Sequence, residues 1–166
     1  CIKPRRKFIQ RALGFGAAVT LPKYGISAPL PSQIRISDGR IKIGFLWSST
    51  GVMSVIEQSS LDVAMFWVDK INREGGIAGL EVVPIQVDAK SDMGPYRDGV
   101  TRLIKDEGVM AVFGGYTSVS RRAVMPLVTL SDHLFYYPTV YEGRECWQNA
   151  ICTGALANQH SFDLVP

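Results

Sequence analysis

Two short segments carry hydroxyl groups at a spacing that suits ligand binding: Tyr116-Thr117-Ser118 and Tyr137-Pro138-Thr139, each just past a run of apolar residues. A hydroxyl can donate to a carbonyl oxygen and accept from an amide N–H, so such a set suits a small, neutral, polar ligand better than a charged one. Ordinary polar turn residues beside half-buried tyrosines are the plain alternative. Ser48-Ser49-Thr50-Gly51 is a third hydroxyl-rich segment after an apolar run. Arg121 and Arg122 follow the first tyrosine segment, and solvation of a helix face is their default role.

Enzyme constellations are absent from the pattern. There is no phosphate-binding G-x-x-x-x-G-K, no G-x-S-x-G elbow, no C-x-x-C pair and no H-E-x-x-H. His133 and His160 fall at the edges of helices in this reading and are assigned to the surface. Two histidines and three scattered cysteines make a structural zinc site improbable, and Gly44 opens no G-x-G-x-x-G. No catalytic residue, metal or cofactor is therefore expected. Cys146 and Cys152 offer the one conceivable disulfide.

The elements that must position these loops are written in the hydrophobic period. Ile41 to Trp47 is a continuous apolar run, as in a strand buried on both faces. Ile56 to Glu74 carries Leu61, Ala64, Met65, Val68 and Ile71 at helical spacing, with Gly75-Gly76 as its stop. Strands follow at Leu80 to Val87, Val109 to Phe113, Leu134 to Tyr137 and Ala150 to Thr153. Helices are expected at Tyr96 to Lys105, at Arg121 to Leu130 with a kink or a late start at Pro126, and from Gln159 onward. Alternating strands and helices imply an α/β fold, a three-layer parallel sheet with right-handed crossovers. Ligands in such sheets sit outside the carboxyl ends of the strands, where Ser48 to Gly51, Gly114 to Ser120 and Pro138 to Gly143 fall.

Composition narrows the class further. With 166 residues, 46% hydrophobic and 20% charged, the chain has material for one ordinary core and is no disordered tail. The net charge of +3 is uneven: residues 1–28 hold six bases and no acid, leaving 12 bases against 15 acids in the rest. A mildly acidic body disfavours nucleic acid as a partner. The basic residues 1–11, the apolar Ala12 to Leu21 and the Pro- and Ser-containing stretch to Ser32 follow the order of an export signal, which assigns 1–32 to a signal and linker. Within it, Arg5-Arg6-Lys7-Phe8-Ile9 resembles the twin-arginine motif, implying the twin-arginine translocase as partner and a periplasmic or extracytoplasmic destination. Cys1 in place of Met suggests that the true start lies upstream or that the sequence is a fragment.

The body, 40–166, resembles a known family from about Ile41 to about Gln159. The stretches I-K-I-G-F-L-W-S-S-T-G, I-N-R-E-G-G-I-A-G-L and V-D-A-K-S-D look like the opening of a type I periplasmic binding protein of the branched-chain amino-acid and amide class. V-F-G-G-Y-T-S-V-S-R-R-A-V-M-P, L-F-Y-Y-P-T-V-Y-E-G-R-E-C and A-L-A-N-Q-H are similar to the branch of urea receptors and amide sensors. The resemblance implies a truncated N-terminal ligand-binding lobe, with the second lobe missing and with it the expected acidic or backbone acceptors for the ligand's N–H groups. It implies ligand contacts at Tyr116, Ser118, Tyr137 and Thr139, with Tyr141 and Ser49 as weaker candidates. Tyr116 and Tyr137 would wall the pocket, while Ser118 and Thr139 would bond the carbonyl and amide groups. The function implied is the solute-binding component of an ABC transporter for urea or a short-chain amide, with permease and ATPase partners. An amide-sensing regulator of the aliphatic amidase type and a branched-chain amino-acid receptor are the alternatives.

Overall fold

The computed structural model describes residues 39–143 and 145–161; the expected export signal, with Arg5 and Arg6, lies outside them. Five strands form one sheet: β1 (Arg40–Trp47), β2 (Glu81–Asp88), β3 (Ala111–Gly114), β4 (Phe135–Tyr137) and β5 (Ala150–Cys152). They are joined by α1 (Ser54–Arg73), α2 (Met93–Lys105) and α3 (Ser118–Leu130), and a short α4 (Ala157–Ser161) follows β5. The spatial order is β2-β1-β3-β4-β5, with every pair parallel. This is the α/β architecture that the alternating pattern predicts.

Strand β1 sits in the interior of the sheet, which is why its sequence is apolar on both faces. Its alternate residues divide two cores. Leu46 joins Val112, Phe135 and Tyr137 under α2 and α3, where Val100, Leu103, Val124, Met125 and Val128 close the layer. Phe45 and Trp47 point to the other face and meet Leu61 and Val68 of α1. On that second face α1 leaves an apolar groove of about 980 Å³ lined by Phe45, Val63, Trp67 and Phe113.

Local chemistry explains where the helices begin and end. Asp92 caps α2 by accepting from Gly94 N–H at 2.8 Å, and Thr117 caps α3 by accepting from Ser120 N–H at 3.1 Å. That cap starts α3 at Ser118 and carries it through Pro126, so the late start expected at the proline does not occur. Helix α1 stops where Gly75 and Gly76 take positive φ and Gly76 N–H returns to the Ile71 carbonyl at 2.9 Å. Helix α4 opens at Ala157, two residues before the expected start.

The topology defines where a ligand can enter. From β1 the chain moves to one side to make β2, then crosses to the other side to make β3. The crevice at the carboxyl ends of β1 and β3 is therefore the switch point at which α/β sheets bind their ligands. At the end of β3 a Cβ on Gly114 would lie 2.1 Å from the Leu46 carbonyl oxygen, and Gly115 adopts φ +75°. Only glycine lets the chain leave the sheet so tightly and turn into the α3 cap.

Candidate functional site

Three loops meet at these carboxyl ends, and a cleft of about 350 Å³ opens between the second and third. Its walls are Tyr116, Thr117 and Ser118 from the β3–α3 turn, Thr139, Val140, Tyr141 and Glu142 after β4, and Ala157 of α4. Four of the six predicted ligand residues, Tyr116, Ser118, Thr139 and Tyr141, thus share one cavity. Its volume matches a small organic ligand. Thr139 Oγ1 donates to the Gly115 carbonyl at 3.1 Å, which ties the two walls together.

Tyr137 does not wall the pocket, contrary to expectation. Its side chain is fully buried, and its hydroxyl donates to the Tyr116 carbonyl at 2.6 Å. As the last residue of a strand buried in the larger core, it faces inward and anchors the Tyr116 backbone from beneath. Burial raises its hydroxyl pKa, so it remains a neutral donor. Ser49 also lies apart: it is exposed, outside the cleft lining, and its N–H donates to Asp88 Oδ1 at 2.9 Å.

Arg121 corrects a second expectation. It is 0% exposed rather than solvated, and its guanidinium carbon lies 4.5 Å from the Tyr137 ring centre. Nε and Nη2 donate to both oxygens of Glu145 at 2.9 and 2.8 Å, and Nη2 also donates to Glu142 Oε2 at 3.0 Å. Burial alone would lower its pKa; hydrogen bonds to Glu145 and then Glu142 more than offset this and hold it above its ordinary value. Arg122 is exposed, as its default role predicts, and its Nε donates to Glu145 at 3.0 Å. Cation and carboxylates together tie Glu142 and Glu145 of the loop after β4 to the first turn of α3.

The Glu142 carboxylate lines the cleft and is 56% exposed. Ser118 Oγ donates to it, and this bond, with a backbone N–H and Arg121, lowers its pKa to about 2. The Glu145 carboxyl is also held below its ordinary value, chiefly by Arg121. These acids are not signalled by spacing. Glu142 and Glu145 stand 21 and 24 residues beyond Arg121, in a loop without periodicity.

A second buried network lies under the β1–α1 loop. Glu57, 1% exposed, accepts from Ser48 N–H and from the Tyr96 hydroxyl through one oxygen. Ser48 Oγ accepts from Ser91 N–H at 2.8 Å, and Thr50 Oγ1 donates to Asp88 at 2.7 Å. Desolvation, then the bond to Glu57, pushes the Tyr96 hydroxyl pKa well above its ordinary value.

Three further side chains bear on the expectations. His133 lies in the turn after α3 and is half-buried rather than a surface residue; its Nε2 is buried without a partner among the described residues, and burial lowers its pKa. No disulfide joins Cys146 to Cys152.

The sheet and its loops define a parallel α/β lobe with a cleft at the carboxyl ends of its strands. The chain belongs to the periplasmic binding protein domain family, whose pattern matches residues 41–166. Among solved structures, the branched-chain amino acid transporter substrate binding protein LivJ from Streptococcus pneumoniae, in complex with isoleucine, is similar at 24% identity and a TM-score of 0.68. That match covers 75% of this chain and 39% of that one. A branched-chain amino acid transporter protein from Rhodopseudomonas palustris (18% identity, TM-score 0.66, 72% and 33% covered) is also similar. So is the leucine binding protein LivK from Thermotoga maritima (17% identity, TM-score 0.62, 75% and 35% covered). The chain therefore spans about two fifths or less of these relatives, and at these identities the likeness concerns the fold: a type I binding-protein lobe.

Proposed function

We propose that this chain is the ligand-binding lobe of an extracytoplasmic solute-binding protein that takes urea or a short-chain aliphatic amide and delivers it to an ABC permease with its ATPase. One observation carries the reading: Tyr116, Ser118, Thr139 and Tyr141 converge with the Glu142 carboxylate on a cleft of about 350 Å³. The Tyr116 and Tyr141 hydroxyls can donate to the amide carbonyl, and Glu142 can accept from its N–H groups. Such a ligand also needs a second wall, since half of its surface would otherwise stay wet. Residues 1–32 act as a twin-arginine signal in this proposal, with Arg5 and Arg6 as the address.

A branched-chain amino-acid receptor is the second reading, favoured by the names of the similar transporter proteins. A thermal-shift series on the full-length protein with urea, formamide, acetamide, butyramide and leucine separates the two. Binding to the folded state raises the melting temperature by mass action, so the ranking reports selectivity. The proposal predicts a saturable shift with urea or a small amide and none with leucine. A shift with leucine alone would replace it with the second reading. A reporter fused after residue 32 that stayed in the cytoplasm would instead favour an amide-sensing regulator.

A further inference from the structure

We infer that Glu142 is the specificity residue of this cleft: it occupies the position a ligand carboxylate would take at the start of α3, and so admits ligands with N–H donors and excludes carboxylates. The inference rests on the amide-binding reading and adds the physical cause of its selectivity. Helix α3 runs for 13 residues, and its first residue, Ser118, lies in the cleft wall. The N-terminus of such a helix attracts anions through its free N–H groups and its dipole. Here the protein supplies the anion itself, because Ser118 Oγ donates to Glu142 Oε1 while Arg121 Nη2 donates to Oε2 at 3.0 Å.

Two consequences follow for a bound molecule. Ser118 has committed its proton to Glu142 and can only accept from a ligand, so it offers a carboxylate nothing. Among the described residues that line the cleft, Glu142 is the one charged side chain, and a ligand carboxylate there would face a like charge. An amide N–H does the opposite: each Glu142 oxygen has one partner named above and retains acceptor capacity for a second. The carboxylate stays ionised at neutral pH, since its pKa lies near 2. Arg121 acts through Glu142 and not on the ligand: it is buried, absent from the cleft lining, and serves as a positioning residue.

Isothermal titration of the full-length protein with acetamide, urea, acetate and leucine, for the wild type and Glu142→Gln, tests the inference. Gln keeps the size and an acceptor oxygen but removes the charge, and at an exposed position it leaves the fold intact. The wild type is expected to bind acetamide and neither carboxylate. Glu142→Gln is expected to weaken acetamide about tenfold, the factor for one lost charge-assisted bond, and to bring acetate or leucine into the measurable range. Glu142→Asp, which retains the charge, should still exclude both carboxylates. If the wild type binds acetamide and Glu142→Gln leaves the preference over carboxylates unchanged, the inference fails and the amide reading stands. If the wild type binds leucine in preference to acetamide, or binds none of acetamide, leucine and urea, both fall.

Discussion

Two loops at the same edge of the sheet are each held by a buried charge, and they solve that burial in opposite ways. Under the β1–α1 loop the charge is an acid, Glu57, satisfied by neutral donors from Ser48 and Tyr96. Under the loop after β4 it is a base, Arg121, held through Nε and Nη2 by the carboxylates of Glu142 and Glu145, while its Nη1 is buried without a partner among the described residues. The first arrangement is sealed: Glu57 and Ser48 are both out of solvent. The second places its cation below and leaves one of its partners, Glu142, at the cleft. The difference teaches that burying a charge under a loop fixes backbone position in either case. Only the pairing with an exposed partner also presents chemistry to a ligand.

Removing Arg121 should break this comparison most severely. Arg121→Met keeps much of the apolar stem and deletes the cation that lies over the Tyr137 ring. Glu145, only 13% exposed, is then left as a largely buried carboxylate without its main partner. Breaking one side of a buried pair costs about 3–5 kcal/mol, and Glu142's exposure keeps this variant toward the lower figure. Denaturation in guanidinium chloride should show that loss, and amide binding should vanish with it, because the loop that carries Thr139, Tyr141 and Glu142 is no longer held. Loss of stability with binding intact would mean that the cleft does not depend on this loop.

The corresponding change in the sealed network should be smaller and should spare the ligand. Tyr96→Phe deletes the hydroxyl that donates to Glu57 and leaves Ser48 N–H as the remaining bond shown to that oxygen. A hydrogen bond to a charged group contributes about 1.5–3 kcal/mol. The denaturation midpoint should fall accordingly, while acetamide affinity changes less than twofold in titration. A large loss of affinity would show that the β1–α1 loop, with Ser49, contributes to binding after all.

The same contrast explains what the amino-acid sequence reveals. The sheet and its helices follow from hydrophobic period and caps: β1 reads as a buried strand because it is interior, and α1 ends at its two glycines. Helix α3 was harder, since Pro126 signals a break while Thr117 signals a cap, and the cap prevails because α3 already has its core face in Val124, Met125 and Val128. At the site, Tyr116, Ser118, Thr139 and Tyr141 are legible because strand ends dictate where their loops go. Tyr137 is misread for a single-residue reason, because the last residue of β4 still obeys the strand's alternation and turns into the core. Arg121, Glu57, Glu142 and Glu145 are illegible because a buried charge is decided by partners far along the chain. No local pattern distinguishes an arginine that meets two acids from one that meets water.

The smallest effect concerns pH, and it sharpens the contrast from the acid side. Glu142 and Glu145 both have native pKa values below the ordinary carboxylate value, Glu142 near 2. A depressed carboxyl stabilises the folded state above its unfolded pKa, and that contribution disappears as pH falls through the native value. The loop after β4 should therefore loosen between about pH 4.5 and 2, when Glu142 takes up a proton and Arg121 loses part of its hold. Because Glu142 is largely exposed, solvent screens the pair and the global loss it causes is modest. Denaturation midpoints at pH 7, 5 and 3 should fall less steeply for Glu142→Gln than for the wild type, since the variant has no proton to gain there. Equal slopes for the wild type and Glu142→Gln would remove Glu142 from the acid response and leave it to Glu145 and Asp88, the other carboxylates held below their ordinary values.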